Sequence, residues 1–181
     1  MMLSRSNWII LGLAVAVAAA GGWLQHASRR AHAPTGGAAL ETGSIAPDLP
    51  LSGLDGKEHR LSEFRGRRVL LNFWATWCAP CLKEMPALAR AQANVGEKGG
   101  IVVGIAMDEP ARVQAFLASH PVNYPVLVGH LESPSTSLQL GNVGELLPYS
   151  VLLDENGREL ATHRGALDDD QLQQWLAPPA P

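Results

Sequence analysis

The sequence predicts an α/β domain: a central mixed β-sheet flanked by helices, with an N-terminal β-hairpin extension. Three observations carry this expectation. Val69–Trp74 and Ile101–Ala106 are unbroken apolar runs of strand length, the pattern of strands buried on both faces. Each is followed by a stretch of helical character, the alternation that builds parallel strands. Toward the end of the chain, two strand-like runs flank the turn signal Asp154-Glu155-Asn156-Gly157, so an antiparallel pair must join the same sheet.

Taken in order, the chain opens with residues 8–24, which carry no charge and are followed by Arg29 and Arg30. As a helix this run is about 25 Å long, at the short end of what spans a bilayer core. Trp8 and Trp23 near its ends suit an interfacial belt, so residues 1–25 read as an uncleaved membrane anchor. The alternative is a cleaved signal peptide with Ala18-Ala19-Ala20 at its cleavage site. Residues 26–44, small, polar and Gly/Pro-bearing, read as a flexible tether. The folded domain is expected over residues 45–177, with 178–181 as a tail.

Within the domain, Leu49-Pro50-Leu51 and His59-Arg60-Leu61 around Asp55-Gly56 predict the hairpin, and Ser62–Gly66 a short helical turn. After the strand Val69–Trp74, a helix is expected from Pro80 to about Gln92, with Pro86 removing one of its hydrogen bonds. Ile101–Ala106 is the next strand. Glu109-Pro110 opens a helix over Ala111–Ser119, with Val113, Phe116 and Leu117 on one stripe. Tyr124–Val128 reads as a strand, Ser133–Leu140 as a short helix, and Tyr149–Leu153 and Arg158–Thr162 as the hairpin strands. Asp168-Asp169-Asp170 places acids in the first turn of a last helix reaching Leu176, where the dipole favours them.

Composition narrows the function. The net charge is −3 and the isoelectric point near 6.0, which offers no basic field for nucleic acid. Cys78 and Cys81 are the only cysteines, too few for a stapled scaffold or a four-ligand zinc site. The six histidines have no paired ligand spacing, so no metal or other cofactor is expected. The cysteines stand where a buried strand gives way to a helix. A sulfur at a helix N-terminus faces unpaired N–H groups and the positive end of the macrodipole, both of which favour a thiolate. A dithiol behind a membrane-targeting segment fits an oxidising compartment, which places the domain outside the cytoplasm.

Ala46-Pro47-Asp48-Leu49, the run Asn72-Phe73-Trp74-Ala75-Thr76-Trp77-Cys78-Ala79-Pro80-Cys81-Leu82-Lys83-Glu84-Met85-Pro86, and Pro148 before an apolar strand resemble the thioredoxin-like superfamily. Within it, they look like the membrane-tethered branch of TlpA, ResA and the cytochrome c maturation reductases. The resemblance covers Ile45 to Leu176. It implies a thioredoxin-like fold and a periplasmic, single-pass thiol:disulfide oxidoreductase of the inner membrane that reduces disulfides of exported proteins and is recharged by a membrane electron donor of the thiol-transferring type. It makes Cys78 the attacking nucleophile, at an exposed helix start, and Cys81 the resolving thiol, one turn in and covered. Pro148 matches a cis-proline facing the dithiol, which would make Leu147-Pro148 the substrate-docking edge. Tyr149-Ser150 departs from the pattern, where Thr is common, and weakens assignment to haem maturation.

The resemblance also implies that the acid three residues after Cys81, Glu84, lies near the active site. Asn72 stands where cytoplasmic thioredoxins place a buried Asp; a neutral amide cannot take a proton, so Glu84 is the candidate acceptor. Trp74 and Trp77 read as core and rim packing around the dithiol, with docking a secondary role for Trp77. Ala79-Pro80 carries no His or charge to stabilise a Cys78 thiolate, so the expected potential lies nearer about −270 mV than about −120 mV. A thiol peroxidase is a competing reading, but Leu71 and Ala75 stand where its Pro and Thr/Ser would be. A metal-delivering module using the Cys pair is another, without a third ligand pointing at the pair in sequence.

Overall fold

The computed structural model describes residues 42–96 and 99–178. The predicted anchor at residues 8–24 lies outside them, and among the described residues no helix is long and apolar enough to cross a membrane.

The hairpin forms as β1 (Pro50–Gly53) and β2 (Glu58–Arg60), followed by a 3₁₀ turn at Leu61–Phe64. Then come β3 (Val69–Trp74), α1 (Ala79–Val95), β4 (Ile101–Ala106), α2 (Pro110–Ser119), β5 (Val126–Val128), α3 (Thr136–Gln139), β6 (Tyr149–Leu153), β7 (Glu159–Arg164) and α4 (Asp169–Leu176). The strands make one sheet in the order β2-β1-β5-β4-β3-β6-β7. β3, β4 and β5 run parallel; β6 lies antiparallel on the other side of β3, with Phe73 opposite Tyr149. The expected mixed sheet is therefore present, and β3, flanked on both sides, is wholly buried.

Alternation along β3 sends Leu71 and Phe73 to one face, where they pack with Val103, Ile105, Tyr149 and Leu61. Leu70 and Trp74 face the other way. Leu70 packs against Leu88 of α1 and Leu172 and Leu176 of α4, and Trp74 against Met85 of α1 and Val113 of α2. Asn72 shares this second face, a polar residue in the middle of an apolar strand.

Several boundaries differ from expectation, four of them where the local chemistry is plain. β5 starts at Val126 rather than Tyr124, because Pro125 has no N–H to give a ladder; its carbonyl still accepts from Gly104 N–H. α1 runs on to Val95 and stops at Gly96, whose φ of 62° is the left-handed conformation that glycine reaches without penalty. The helix expected from Ser133 begins at Thr136, because Ser135 caps the turn with its hydroxyl on Leu138 N–H. At the front, the last tether residues are stitched to the sheet: Gly43 N–H donates to Glu159 C=O, Glu159 N–H to Ser44 C=O, and Ile45 bridges Arg158.

Candidate active site

Parallel strands end at one pole of a sheet, and the loops leaving them gather there. At the end of β3 the chain turns through Thr76-Trp77 into Cys78, which is the N-cap of α1. Cys78 and Cys81 form a disulfide with their Cα atoms 5.3 Å apart, and Cys81 N–H points at Cys78 Sγ, 3.3 Å away. That N–H would equally stabilise a Cys78 thiolate.

Two expectations about exposure are corrected. Cys78 is not an exposed sulfur: it is 4 % accessible and Cys81 1 %, because Trp74, Ala75, Met85, Val113 and the half-buried Leu147 pack around the pair. The order expected for the two sulfurs holds, at a much lower level. Trp77 does not pack around the dithiol but stands 67 % exposed beside it, whereas Trp74 is core.

Asp108, just past β4, holds the loop that carries Cys78. Its buried carboxylate accepts hydrogen bonds from Thr76 N–H at 3.0 Å, from the Thr76 hydroxyl and from Glu109 N–H at 2.8 Å. Burial pushes this carboxyl up, but the donors from Thr76 and Glu109 outweigh it, so its pKa lies below the ordinary carboxylate value.

The strand β6 begins at the same pole. The Leu147–Pro148 bond that precedes it is cis, Pro148 is buried, and its carbonyl accepts from Gly165 N–H at 2.9 Å. Leu147 packs in the cluster that holds both cysteines, and its own N–H and C=O have no hydrogen-bond partner among the described residues.

Beneath the disulfide lies a buried polar group. Glu84, one turn after Cys81 on the same face of α1, is 4 % accessible. Its Oε1 accepts from Asn72 Nδ2 at 3.2 Å and from Leu167 N–H at 3.4 Å; its Oε2 has no partner among the described residues. Asn72 gives its other amide hydrogen to Ser150 Oγ at 3.1 Å, across the β3–β6 pairing. Burial raises the Glu84 pKa from its ordinary 4.5 to about 7, with the Leu167 N–H pulling the other way. A carboxyl titrating near neutrality, one turn from Cys81, can both give and take a proton at physiological pH.

Sequence reasoning had Asn72 and Glu84 but missed Asp108, and Ser150 figured only as a departure from Thr. Asp108 could have been flagged as the charge at the end of an otherwise apolar strand run. Among the described residues no cluster of three His, Cys, Asp or Glu side chains could hold a metal ion.

Sulfurs placed side by side at a helix start, with a neutral amide and a near-neutral carboxyl under them, exchange electrons by making and breaking their own bond. The class of protein so defined is a thiol:disulfide oxidoreductase of thioredoxin-like fold. Comparison with known proteins narrows the class: the chain belongs to the Redoxin family, whose model matches residues 41–175. It is 32% identical over 139 residues to the thiol-disulfide oxidoreductase ResA of Geobacillus thermodenitrificans (strain NG80-2), covering 76% of this chain and 78% of that one. It is 31% identical over 140 residues to the thioredoxin-like protein YneN of Bacillus subtilis (strain 168), covering 76% and 79%. Among solved structures, one described as a thiol:disulfide interchange protein DsbE from Chlorobium tepidum matches with a TM-score of 0.66 at 34% identity, over 75% of this chain and 95% of that chain. The TlpA/ResA-like resemblance is thus borne out.

Proposed function

We propose that the protein is a periplasmic reductase of disulfides in exported proteins, tethered to the inner membrane through residues 8–24 and recharged by a membrane electron donor of the thiol-transferring type. The observation that carries the direction of electron flow is the electrostatics of the pair. Ala79-Pro80 supplies no positive charge, and the nearest buried ionisable group on α1 is the carboxyl of Glu84. A dithiol whose thiolate gains little stabilisation gives up its electrons readily.

In the cycle so derived, the Cys78 thiolate attacks one sulfur of a target disulfide. That bond breaks, one target sulfur leaves as a thiolate and takes a proton from water, and the other stays bonded to Cys78. Cys81 passes its proton to the Glu84 carboxylate and attacks Cys78 Sγ. The mixed disulfide breaks, the Cys78–Cys81 bond forms, and the second target sulfur leaves and is protonated. Two electrons have moved from the dithiol to the target. Trp77 and the Leu147-Pro148 edge hold the target, Leu147 through the backbone groups left free beside the sulfur pair.

Redox titration against thiol buffers tests the direction: the expected potential is near about −270 mV, and a value above about −150 mV would make the protein an oxidase. Cys81→Ser should strand exported partners on Cys78, whereas Cys78→Ser should strand none; the reverse result would exchange the two roles. The trapped partners would also show whether cytochrome c apoproteins are among the substrates. A protease that leaves the domain intact in spheroplasts but digests it once they are lysed would overturn the location.

A further inference from the structure

Six large apolar side chains stand exposed among the described residues, and they are not scattered. Trp77 leaves β3, Leu131 leaves β5, and Val143 and Leu146 precede β6, so these four belong to loops at the pole that carries the disulfide. Ile45 and Leu160 belong to the seam where the chain enters the sheet beside β7. The sulfurs are buried, while these four side chains on loops at the same pole are exposed and give it apolar surface that another molecule can cover.

The loop carrying Val143 and Leu146 is held in one shape. Asn142, fully buried, accepts from Leu146 N–H with Oδ1 at 3.2 Å and donates from Nδ2 to Leu146 C=O at 2.9 Å. Its own carbonyl accepts from Glu145 N–H at 2.8 Å. Glu145 takes φ 47°, a left-handed conformation unfavourable for a residue with a side chain, and its carboxylate accepts from the buried Ser135 hydroxyl. A loop that adopts an unfavourable backbone angle and uses both halves of a buried amide to keep Leu146 facing outward is pre-organised for contact, which lowers the entropy lost on binding.

We propose that residues 142–147 form a specificity element that selects disulfides whose reacting cysteine has an apolar neighbour, with Val143 and Leu146 as the contact residues and Asn142 as the positioning residue. The proposal rests on the reductase reading above and adds the substrate class. The occupant is an extended polypeptide segment: the N–H and C=O of Leu147, without a hydrogen-bond partner among the described residues, lie next in the chain and together suit a backbone laid alongside them. Leu147 packs in the sulfur cluster, so a target cysteine at the pair, with about 3.3 Å per further residue, brings its neighbours alongside the loop that leads into Leu147. Burying one Leu-sized side chain there favours binding about tenfold to a hundredfold over leaving it in water.

The test uses the full chain, reduced with dithiothreitol and desalted, in single turnovers that need no electron donor. The probes are two disulfide-linked peptides, identical except for Leu or Asp on either side of the cysteine, and 2-hydroxyethyl disulfide as a probe without flanking residues. The wild type should reduce the Leu peptide at least tenfold faster than the Asp peptide. In Val143→Ser/Leu146→Ser this preference should fall toward unity, through loss of rate on the Leu peptide relative to 2-hydroxyethyl disulfide. Asn142→Ala should lower the preference in the same way, and Leu146→Met should retain it. Equal rates for the two peptides with the wild type, or a preference that survives the double substitution, would overturn the proposal while leaving the reductase reading intact. A wild type inert toward all three probes would overturn that reading, and the proposal with it.

Discussion

Replacing Glu84 by Gln tests whether a buried ionisable carboxyl lies beneath the disulfide. The carboxyl is neutral in the fold up to about pH 7 but ionises near its ordinary 4.5 once unfolded. The sign follows from the raised value: the folded state binds the proton more tightly, so the stability it contributes is full below about pH 4.5 and is lost as pH rises through 7. A difference of about 2.5 units, at about 1.4 kcal/mol each, makes the whole loss roughly 3 kcal/mol between pH 4 and pH 8. Gln keeps the Oε1 acceptor for Asn72 and Leu167 and changes only the other end of the group, so its packing cost is a constant offset. Urea unfolding of the oxidised protein at four pH values, wild type against Glu84→Gln, isolates the charge. The stability difference should shift by about 3 kcal/mol in favour of Gln on going from pH 4 to 8. Parallel curves would refute the buried-carboxyl account, and with it Glu84 as the proton acceptor for Cys81.

Asp108→Asn should behave with the opposite sign. The carboxyl's folded value is depressed, so its contribution, about 1–3 kcal/mol at neutral pH for charge-assisted hydrogen bonds, should disappear as the pH falls through that depressed value. A stability gap between wild type and Asp108→Asn that is the same at pH 7 and pH 2 would contradict the Thr76 tie. Leu88→Ala removes a fully buried side chain between α1, β3 and α4 and should cost about 2–5 kcal/mol in denaturant unfolding. A loss below about 1 kcal/mol would mean that the α1–α4 packing relaxes to fill the space.

The elements of the fold that depend on local pattern were legible in the chain. Val69–Trp74, Ile101–Ala106 and Tyr149–Leu153 form strands over the predicted residues, because an apolar run of that length bounded by turn residues has little else to become. The cysteine pair was legible for the same reason, as a motif contained in four residues. What was not legible depends on pairing across the chain. Ser150 matters because β6 sets it opposite Asn72, a register no local signal specifies. Asp108 matters because the end of β4 stands beside the loop leaving β3. The burial of Cys78 and the exposure of Trp77 were missed together: Trp77 stands on a turn closed by Cys78 N–H on Ala75 C=O, and the packing of α2 and Leu147 covers the sulfur that follows it but not the indole.

The seam at the front of the domain has a mechanical side. Gly43, Ser44 and Ala46 are bonded to Gly157 and Glu159, at the end of the β6–β7 hairpin far from the sulfurs. β7 then runs six residues, roughly 20 Å, before Gly165 reaches the carbonyl of Pro148. A pull transmitted along the preceding chain would load these seam bonds and the Asp154–Gly157 turn first. The bonds would open in succession, like a zip, while the strands holding the disulfide stayed slack. The seam and the sulfurs thus stand at opposite ends of the sheet, so load on the seam reaches the sulfurs only along the length of β7.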